Sequence, residues 1–145
     1  MSRQILLVED NEDDVFLLQR ALEKAGVAEM LQVAGDGAEA IASLETAVSE
    51  GKEVPCLMLL DLKMPRVPGL EVLEWIRKKP ELATMPVIIL TSSSADADVE
   101  AAYRLGANSY FSKPAANEDL TSLMKLLHDY WFKRCITPPR FRPKA

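Results

Sequence analysis

Five short apolar runs alternate with five segments of helical spacing, and this alternation limits the chain to few folds. The runs are Ile5–Val8, Met30–Ala34, Leu57–Leu60, Val87–Leu90 and Ser109–Phe111. The first, third and fourth are almost wholly apolar, as strands covered on both faces require. Between them, apolar residues recur at steps of three and four. Val15, Leu18, Leu22 and Ala25 predict a helix that stops at Gly26. Ala40, Ile41, Leu44 and Val48 predict a second, before Gly51. Val72, Leu73 and Ile76 mark a third, ended by Pro80, and Val99, Ala102 and Tyr103 a fourth, stopped near Gly106. Leu120, Leu123, Met124, Leu127 and Trp131 mark the last, with Asn117 as its expected cap.

A (βα)5 order calls for parallel strands joined by right-handed crossovers. The chain has 145 residues, and an eight-fold barrel needs about 250. The expected fold is therefore α/β, an open, doubly wound, five-stranded parallel sheet of order 2-1-3-4-5. Ligands of such sheets bind beyond the carboxyl ends of the strands, so function is to be sought there. Residues 1–131 form the expected domain, and 132–145 a separate extension.

Three carboxylates, a hydroxyl and an ammonium come directly after the strands. Glu9 and Asp10 succeed the first, Asp61 the third, Thr91 the fourth, and Lys113 the fifth. In the expected order, Glu9, Asp10 and Asp61 leave adjacent strands. Three like charges at such range need a bound cation, or a raised pKa on one acid. An all-oxygen ligand set selects a hard ion, and few ligands with room for water favour Mg2+ over Ca2+. A calcium loop over Asp10–Asp14 fails, because its sixth position is Val15 rather than glycine. Glu12, Asp13 and Asp14 read instead as acids of a first helical turn, suited to the macrodipole. Beside a divalent ion, the Asp61 carboxylate can act as a nucleophile towards phosphorus. Lys113 and Thr91 supply the charge and the donor that a transferring phosphoryl group requires.

The residues that carry this chemistry resemble those of response-regulator receiver domains. The matching pieces are Leu7-Val8-Glu9-Asp10-Asn11, Leu60-Asp61 with Met64-Pro65 and Gly69, Leu90-Thr91-Ser92, and Tyr110 three residues before Lys113-Pro114. The resemblance implies that Asp61 accepts phosphate from the phosphohistidine of a sensor histidine kinase, with Mg2+ required. Asp10 and Asp61 would ligate the metal, Glu9 would act mainly through ordered water, and Lys63 would give its backbone carbonyl. Thr91 and Lys113 would contact the phosphoryl group, and the orientation of Tyr110 would depend on Thr91. Acetyl phosphate could load Asp61, with slow self-dephosphorylation afterwards. Such a protein is a switch rather than an enzyme in the usual sense.

The ending, Leu127-His128-Asp129-Tyr130-Trp131-Phe132 and then Ile136-Thr137-Pro138-Pro139, is similar to that of small phytochrome-associated regulators. That resemblance implies a phytochrome-type kinase, and a homodimer through the face of the fourth and fifth helices and the C-terminal extension. Two departures stand out. Lys63 sits two residues after Asp61, where a smaller polar residue is common, and Pro68 replaces an acid before Gly69. The first should alter the dephosphorylation rate, the second only loop stiffness.

Charge separates body from tail. Residues 132–145 hold Lys133, Arg134, Arg140, Arg142 and Lys144 with no acid, which leaves 12 basic and 22 acidic side chains on residues 1–131. The tail, with Pro138, Pro139 and Pro143, reads as an extended or disordered, solvated end, or as a docking strip for an acidic surface. The overall charge of −5 disfavours nucleic acid. No apolar run approaches the ~20 residues of a membrane span. Met1–Arg3 leads into an apolar run too short for a signal peptide, and two cysteines are too few for a disulfide framework. The expected compartment is the cytoplasm.

Other candidates have plainer readings. His128 has no partners at metal-ligand spacing, and Gly35-Asp36-Gly37 is not a dinucleotide fingerprint. Ser92, Ser93 and Ser94 read as a loop and helix cap, and Trp75 as cover for a helix face. Tyr103, Tyr110, Tyr130, Trp131 and Phe132 are expected to share one exposed strip with Leu123 and Leu127. Two other functions compete with the switch. One is a receiver-fold module that binds its partner without phosphorylation. The other is a Mg2+-dependent phosphohydrolase, which Lys63 disfavours because such enzymes carry a second acid near the nucleophile.

Overall fold

The structure, a computed structural model, describes residues 4–27 and 30–143. Met1–Arg3, with the reading of the chain's start, and Lys144 of the tail lie outside the described residues. Five strands, β1 (Ile5–Val8), β2 (Leu31–Ala34), β3 (Leu57–Leu60), β4 (Val87–Thr91) and β5 (Ser109–Ser112), alternate with five helices. The helices are α1 (Glu12–Lys24), α2 (Gly37–Ser49), α3 (Gly69–Lys78), α4 (Asp96–Arg104) and α5 (Asn117–His128). All neighbouring strands pair in parallel, in the order β2-β1-β3-β4-β5. The expected doubly wound sheet is what forms.

Strand alternation divides the interior in two. Leu6, Val8, Met58, Leu60, Val87 and Ile89 face one cluster, completed by α2, α3 and α4. Ile5, Leu7, Leu57, Leu59, Ile88 and Leu90 face the other, completed by α1 and α5. Successive side chains of a strand point to opposite faces, so runs such as Leu57-Met58-Leu59-Leu60 feed both clusters and cannot include a polar residue.

Helix boundaries obey local chemistry. The Asn11 side chain accepts the Asp14 N–H at 3.0 Å to start α1, and Asp36 accepts the Glu39 N–H at 2.7 Å to start α2. Glu39 reaches back to the Gly35 N–H, so the Gly35-Asp36-Gly37 segment is a helix cap. Gly26, Gly51 and Gly106 all stand at positive φ just past their helices, where only glycine avoids strain. Asn117 is not the cap of α5. It is the first helical residue, preceded by Ala116, and no side chain caps that end.

The tail departs from a solvated end. After α5 the chain makes one wide turn, Asp129–Arg134, then extends to a short 3-10 turn at Pro139–Phe141. Phe141 is 1% exposed and belongs to the α2–α3–α4 cluster, on the opposite side of the sheet from α5. Thr137 is buried with it and donates its hydroxyl to the Phe141 carbonyl, while Arg142 donates to the Thr137 carbonyl. The helical chain has already ended at Arg134, before the prolines, and one aromatic side chain has enough apolar area to anchor the segment beyond.

The expected aromatic strip is also divided. Tyr110 packs against the α2–α3–α4 cluster, whereas Leu123, Trp131 and Phe132 pack against the α1–α5 cluster, and Leu127 is buried there. Tyr103, Leu126, Tyr130 and Ile136 remain exposed.

Candidate functional site

Strand register builds the site. Val8 pairs with Leu60, so the next residues, Glu9 and Asp61, emerge side by side from the two central strands. Glu9 N–H bonds to the Ala34 carbonyl and Asp61 N–H to the Val8 carbonyl, which extends the ladder to the rim. Thr91 pairs with Ser112, and the Lys113 N–H donates to the Thr91 carbonyl at 2.8 Å, so hydroxyl and ammonium residues share one piece of backbone. The five residues expected at the rim are therefore there together.

Glu9 and Asp61 are buried and Asp10 is exposed. One carboxylate oxygen from each lies within 4.8 Å of the others. Lys113 offsets the two buried charges of the trio. It is ion-paired to Glu9 and donates to Asp14 at 2.8 Å and to Asp61 at 3.5 Å. Asp14 is thus more than an acid of the first turn, since its carboxylate completes the cage around Lys113. Nothing in the local sequence signals this contact, which joins residues at opposite ends of the chain.

Burial pushes the Glu9 carboxyl up to about 7. The bond to Lys113 works against this, and the charge of Asp61 adds to it. Burial of Lys113 favours the neutral amine, but its bonds to Asp14 and Glu9 and the charge of Asp61 outweigh this and raise its pKa. The Glu9 shift has a measurable sign. Between the ordinary value of 4.5 and about 7, the folded chain holds a proton that the unfolded chain releases. Stability of the metal-free protein should therefore fall as pH rises through that window and level off above it. Thermal melts across this range should show the slope, and Glu9→Gln should flatten it.

Thr91 is fully buried, and its hydroxyl oxygen has no hydrogen-bond partner. A buried hydroxyl without a partner is costly unless a further group is meant to meet it. Tyr110 is half-buried and donates its hydroxyl to the Ser93 carbonyl at 3.0 Å, so in this structure its ring is tied to the loop after β4.

The β3–α3 loop that carries Asp61 is held from three sides. Lys63 N–H donates to Asp61 Oδ1 at 3.3 Å, while the exposed Lys63 ammonium lies 3.2 Å from Asp98 of α4. Arg66, at φ 64° in the left-handed region, reaches Asp36 at 3.2 Å. Gly69 closes the loop, where an added Cβ would lie 2.2 Å from the Asp61 carbonyl oxygen and 2.8 Å from the Leu62 Cα. Backbone cannot yield cheaply at that distance. Gly69→Ala should lower the melting temperature, at a cost of about 1–3 kcal/mol, and should weaken divalent-metal binding by displacing Asp61. Calorimetry with and without metal would read both.

The His128 ring lies tilted by 37° against that of Phe132, centroids 5.2 Å apart, and belongs to no cation site among the described residues. Trp75 lies half-buried on α3 with the Lys79 ammonium 5.7 Å from its ring, as a helix cover does.

An acidic rim, a caged lysine and an orphaned hydroxyl at the carboxyl edge of a 2-1-3-4-5 sheet define a phosphoacceptor-type module. The chain belongs to the response regulator receiver domain family, whose model matches residues 5–125. It is 36% identical to response regulator Rcp1 of Synechocystis sp. over 135 residues, 92% of each chain. It is 39% identical to the probable methanogenesis regulatory protein FilR2 of Methanothrix harundinacea, over 88% of this chain and 82% of that one. Among solved structures, the phosphorylated cyanobacterial phytochrome response regulator RcpA superposes with a TM-score of 0.85 at 34% identity, covering 95% of this chain and 99% of that one. The Mn2+-bound form of Rcp1 gives 0.81 at 35%, covering 94% and 99%. The family is a phosphoacceptor rather than an enzyme of the ordinary kind, and divalent metal belongs to its acidic pocket. The trio of Glu9, Asp10 and Asp61 fits such an ion, because all its donors are hard oxygens. No helix among the described residues is long and apolar enough to cross a membrane.

Proposed function

We propose that this chain is a phosphorylation-controlled switch whose phosphoacceptor is Asp61. The observation that carries the reading is the buried Asp61 carboxylate, which shares Lys113 with Glu9 and Asp14 and lies beside the further acid Asp10. An Asp61 oxygen attacks phosphorus. The O–P bond forms as the N–P bond to a kinase histidine breaks, and the imidazole leaves neutral, keeping the proton already on its other ring nitrogen. With acetyl phosphate, an O–P bond breaks instead and acetate leaves. Mg2+ is the expected ion, held by Asp10, Asp61 and the Lys63 backbone carbonyl, with Glu9 acting through water. It would neutralise phosphoryl oxygens. Lys113 contacts the phosphoryl group from the other side, and the unpartnered Thr91 hydroxyl donates to it. Movement of Thr91 lets Tyr110 leave the Ser93 carbonyl and turn inward, which alters the face of α4, β5 and α5.

The donor is a sensor histidine kinase. The likeness to Rcp1 and RcpA supports one of phytochrome type. Residues 1–131 carry the chemistry, and 132–145 act as an extension for self-association in the cytoplasm. Exposed Leu126, Tyr130 and Ile136 support a homodimer through α5 and the tail, together with the α4 face that carries exposed Tyr103.

Purified protein given Mg2+ and acetyl phosphate should gain the mass of one phosphoryl group and lose that gain with EDTA. Size measured in the same samples should show a dimer. No added mass from acetyl phosphate or from a phytochrome-type kinase, together with no binding of beryllofluoride, would overturn the switch in favour of a constitutive binding module.

A further inference from the structure

Above the site, two loops are joined by a chain of polar contacts, of which the proposed switch uses only the Tyr110–Ser93 bond. The Lys63 ammonium lies 3.2 Å from Asp98 Oδ2. The Ser93 hydroxyl donates to that same oxygen at 2.5 Å. The Ser93 carbonyl accepts the Tyr110 hydroxyl at 3.0 Å, and its side-chain oxygen accepts the Ala95 N–H. Asp98 sits in the first turn of α4, so the chain of contacts runs from the loop after Asp61, through the start of α4, to the ring on β5.

Lys63 begins only two residues from Asp61, and its own N–H already touches the Asp61 carboxylate. Its side chain is 61% exposed. An exposed ion pair of this kind adds little to stability, so its significance lies in where it holds its partners. A phosphoryl group on Asp61 brings up to two negative charges and three acceptor oxygens. Asp98 offers one negative charge, already shared with the Ser93 hydroxyl. The ammonium therefore faces two anions that compete for it, one present at rest and one present only after phosphorylation.

We propose that Lys63 and Asp98 form a latch: at rest it holds the loop after β4, with Tyr110 on Ser93, and a phosphoryl group on Asp61 opens it by drawing the Lys63 ammonium away. The proposal rests on Asp61 being the phosphoacceptor. Asp98 is a positioning residue in it. Asp98 touches nothing that reacts, and Lys63 acts by which anion it serves.

The latch predicts coupling. Asp98→Asn keeps the size of the side chain and leaves Ser93 a partner, but releases Lys63. Beryllofluoride affinity in Mg2+, measured by titration calorimetry, should then rise by about fivefold, the most an exposed pair allows. In a Lys63→Gln background the same Asp98→Asn change should have almost no effect, because no latch remains to open. Added salt should shrink the wild-type difference, since the pair is solvent-exposed. Melting curves of all four proteins would separate these shifts from a loss of folding. If wild type binds beryllofluoride and Asp98→Asn binds it equally well, or if Asp98→Asn has the same effect in both backgrounds, the latch is wrong and the phosphoacceptor stands. If wild type binds no beryllofluoride, both fall.

Discussion

Replacing Asp61 by asparagine is expected to leave a folded protein that takes up no phosphoryl group. An amide oxygen is a poor nucleophile towards phosphorus, and among the described residues Asp61 is the rim acid that both reaches Lys113 and follows the strand next to that of Thr91. The side chain keeps its shape, so the introduced amide can still accept the Lys63 N–H through its carbonyl oxygen. Lys113 keeps its contacts with Glu9 and Asp14. What disappears is one of three crowded negative charges. Asp61 helps to raise the Glu9 pKa, so Glu9 should ionise at lower pH in the variant. Three results should coincide in Asp61→Asn: no added mass with any phosphodonor, weaker divalent-metal binding, and a melting temperature in metal-free buffer no lower than wild type. Phosphoryl incorporation at wild-type level would assign the chemistry to another residue.

The second large effect is far from the rim. Phe141→Ala should cost about 3–5 kcal/mol, the range for deleting a fully buried aromatic side chain. Against a total of ~5–15 kcal/mol for a domain, this is a major share. The melting temperature should fall by roughly 10 °C or more. The cost arises because Phe141 belongs to the same cluster as Leu73, Ile76 and Ala102, and its removal leaves a void there. The turn closed by Thr137 and Arg142 should loosen with it, and proteolysis after Arg134 should quicken. A chain ended at residue 131 should be destabilised by a similar amount. Unchanged denaturant midpoints in both variants would show that the tail is not anchored in solution.

How much of the molecule is legible in its sequence differs by feature. The sheet is legible, because Leu57-Met58-Leu59-Leu60 and Val87-Ile88-Ile89-Leu90 have apolar side chains on both faces, and helix stops at Gly26, Gly51 and Gly106 are enforced by positive φ. The rim is legible too. Chemistry placed directly after a buried strand must emerge at its end, so strand order brings Glu9 and Asp61 together, and the long Lys113 side chain reaches them from the edge strand β5. Contacts set by the meeting of distant loops are not legible. Asp14 has the sequence context of an ordinary first-turn acid, yet it accepts a hydrogen bond from Lys113. Arg77 reads as one more charge on α3, yet it donates to the carbonyls of Ala83, Met85 and Gly106 and so ties two turns together. Phe141 is a lone aromatic among arginines and prolines, where periodicity has no purchase. The aromatic strip fails for a simpler reason: the sheet separates its members, with Tyr110 on the α2–α3–α4 side and Leu123, Leu127, Trp131 and Phe132 on the α1–α5 side.

The division of the interior by the sheet has a consequence for how a signal can travel. The two apolar clusters are like rooms with a common wall, and the acidic rim sits on top of that wall. Tyr110 and α4 open onto one room, and α1 with most of α5 onto the other. A rearrangement of Thr91, Ser93 and Tyr110 can therefore remodel one side while the packing of α1 against α5 stays fixed. The molecule can be gripped on its quiet side and read on its mobile side at the same time. Phe141 crosses to the mobile side from the end of α5, which makes the tail a strap that spans both rooms.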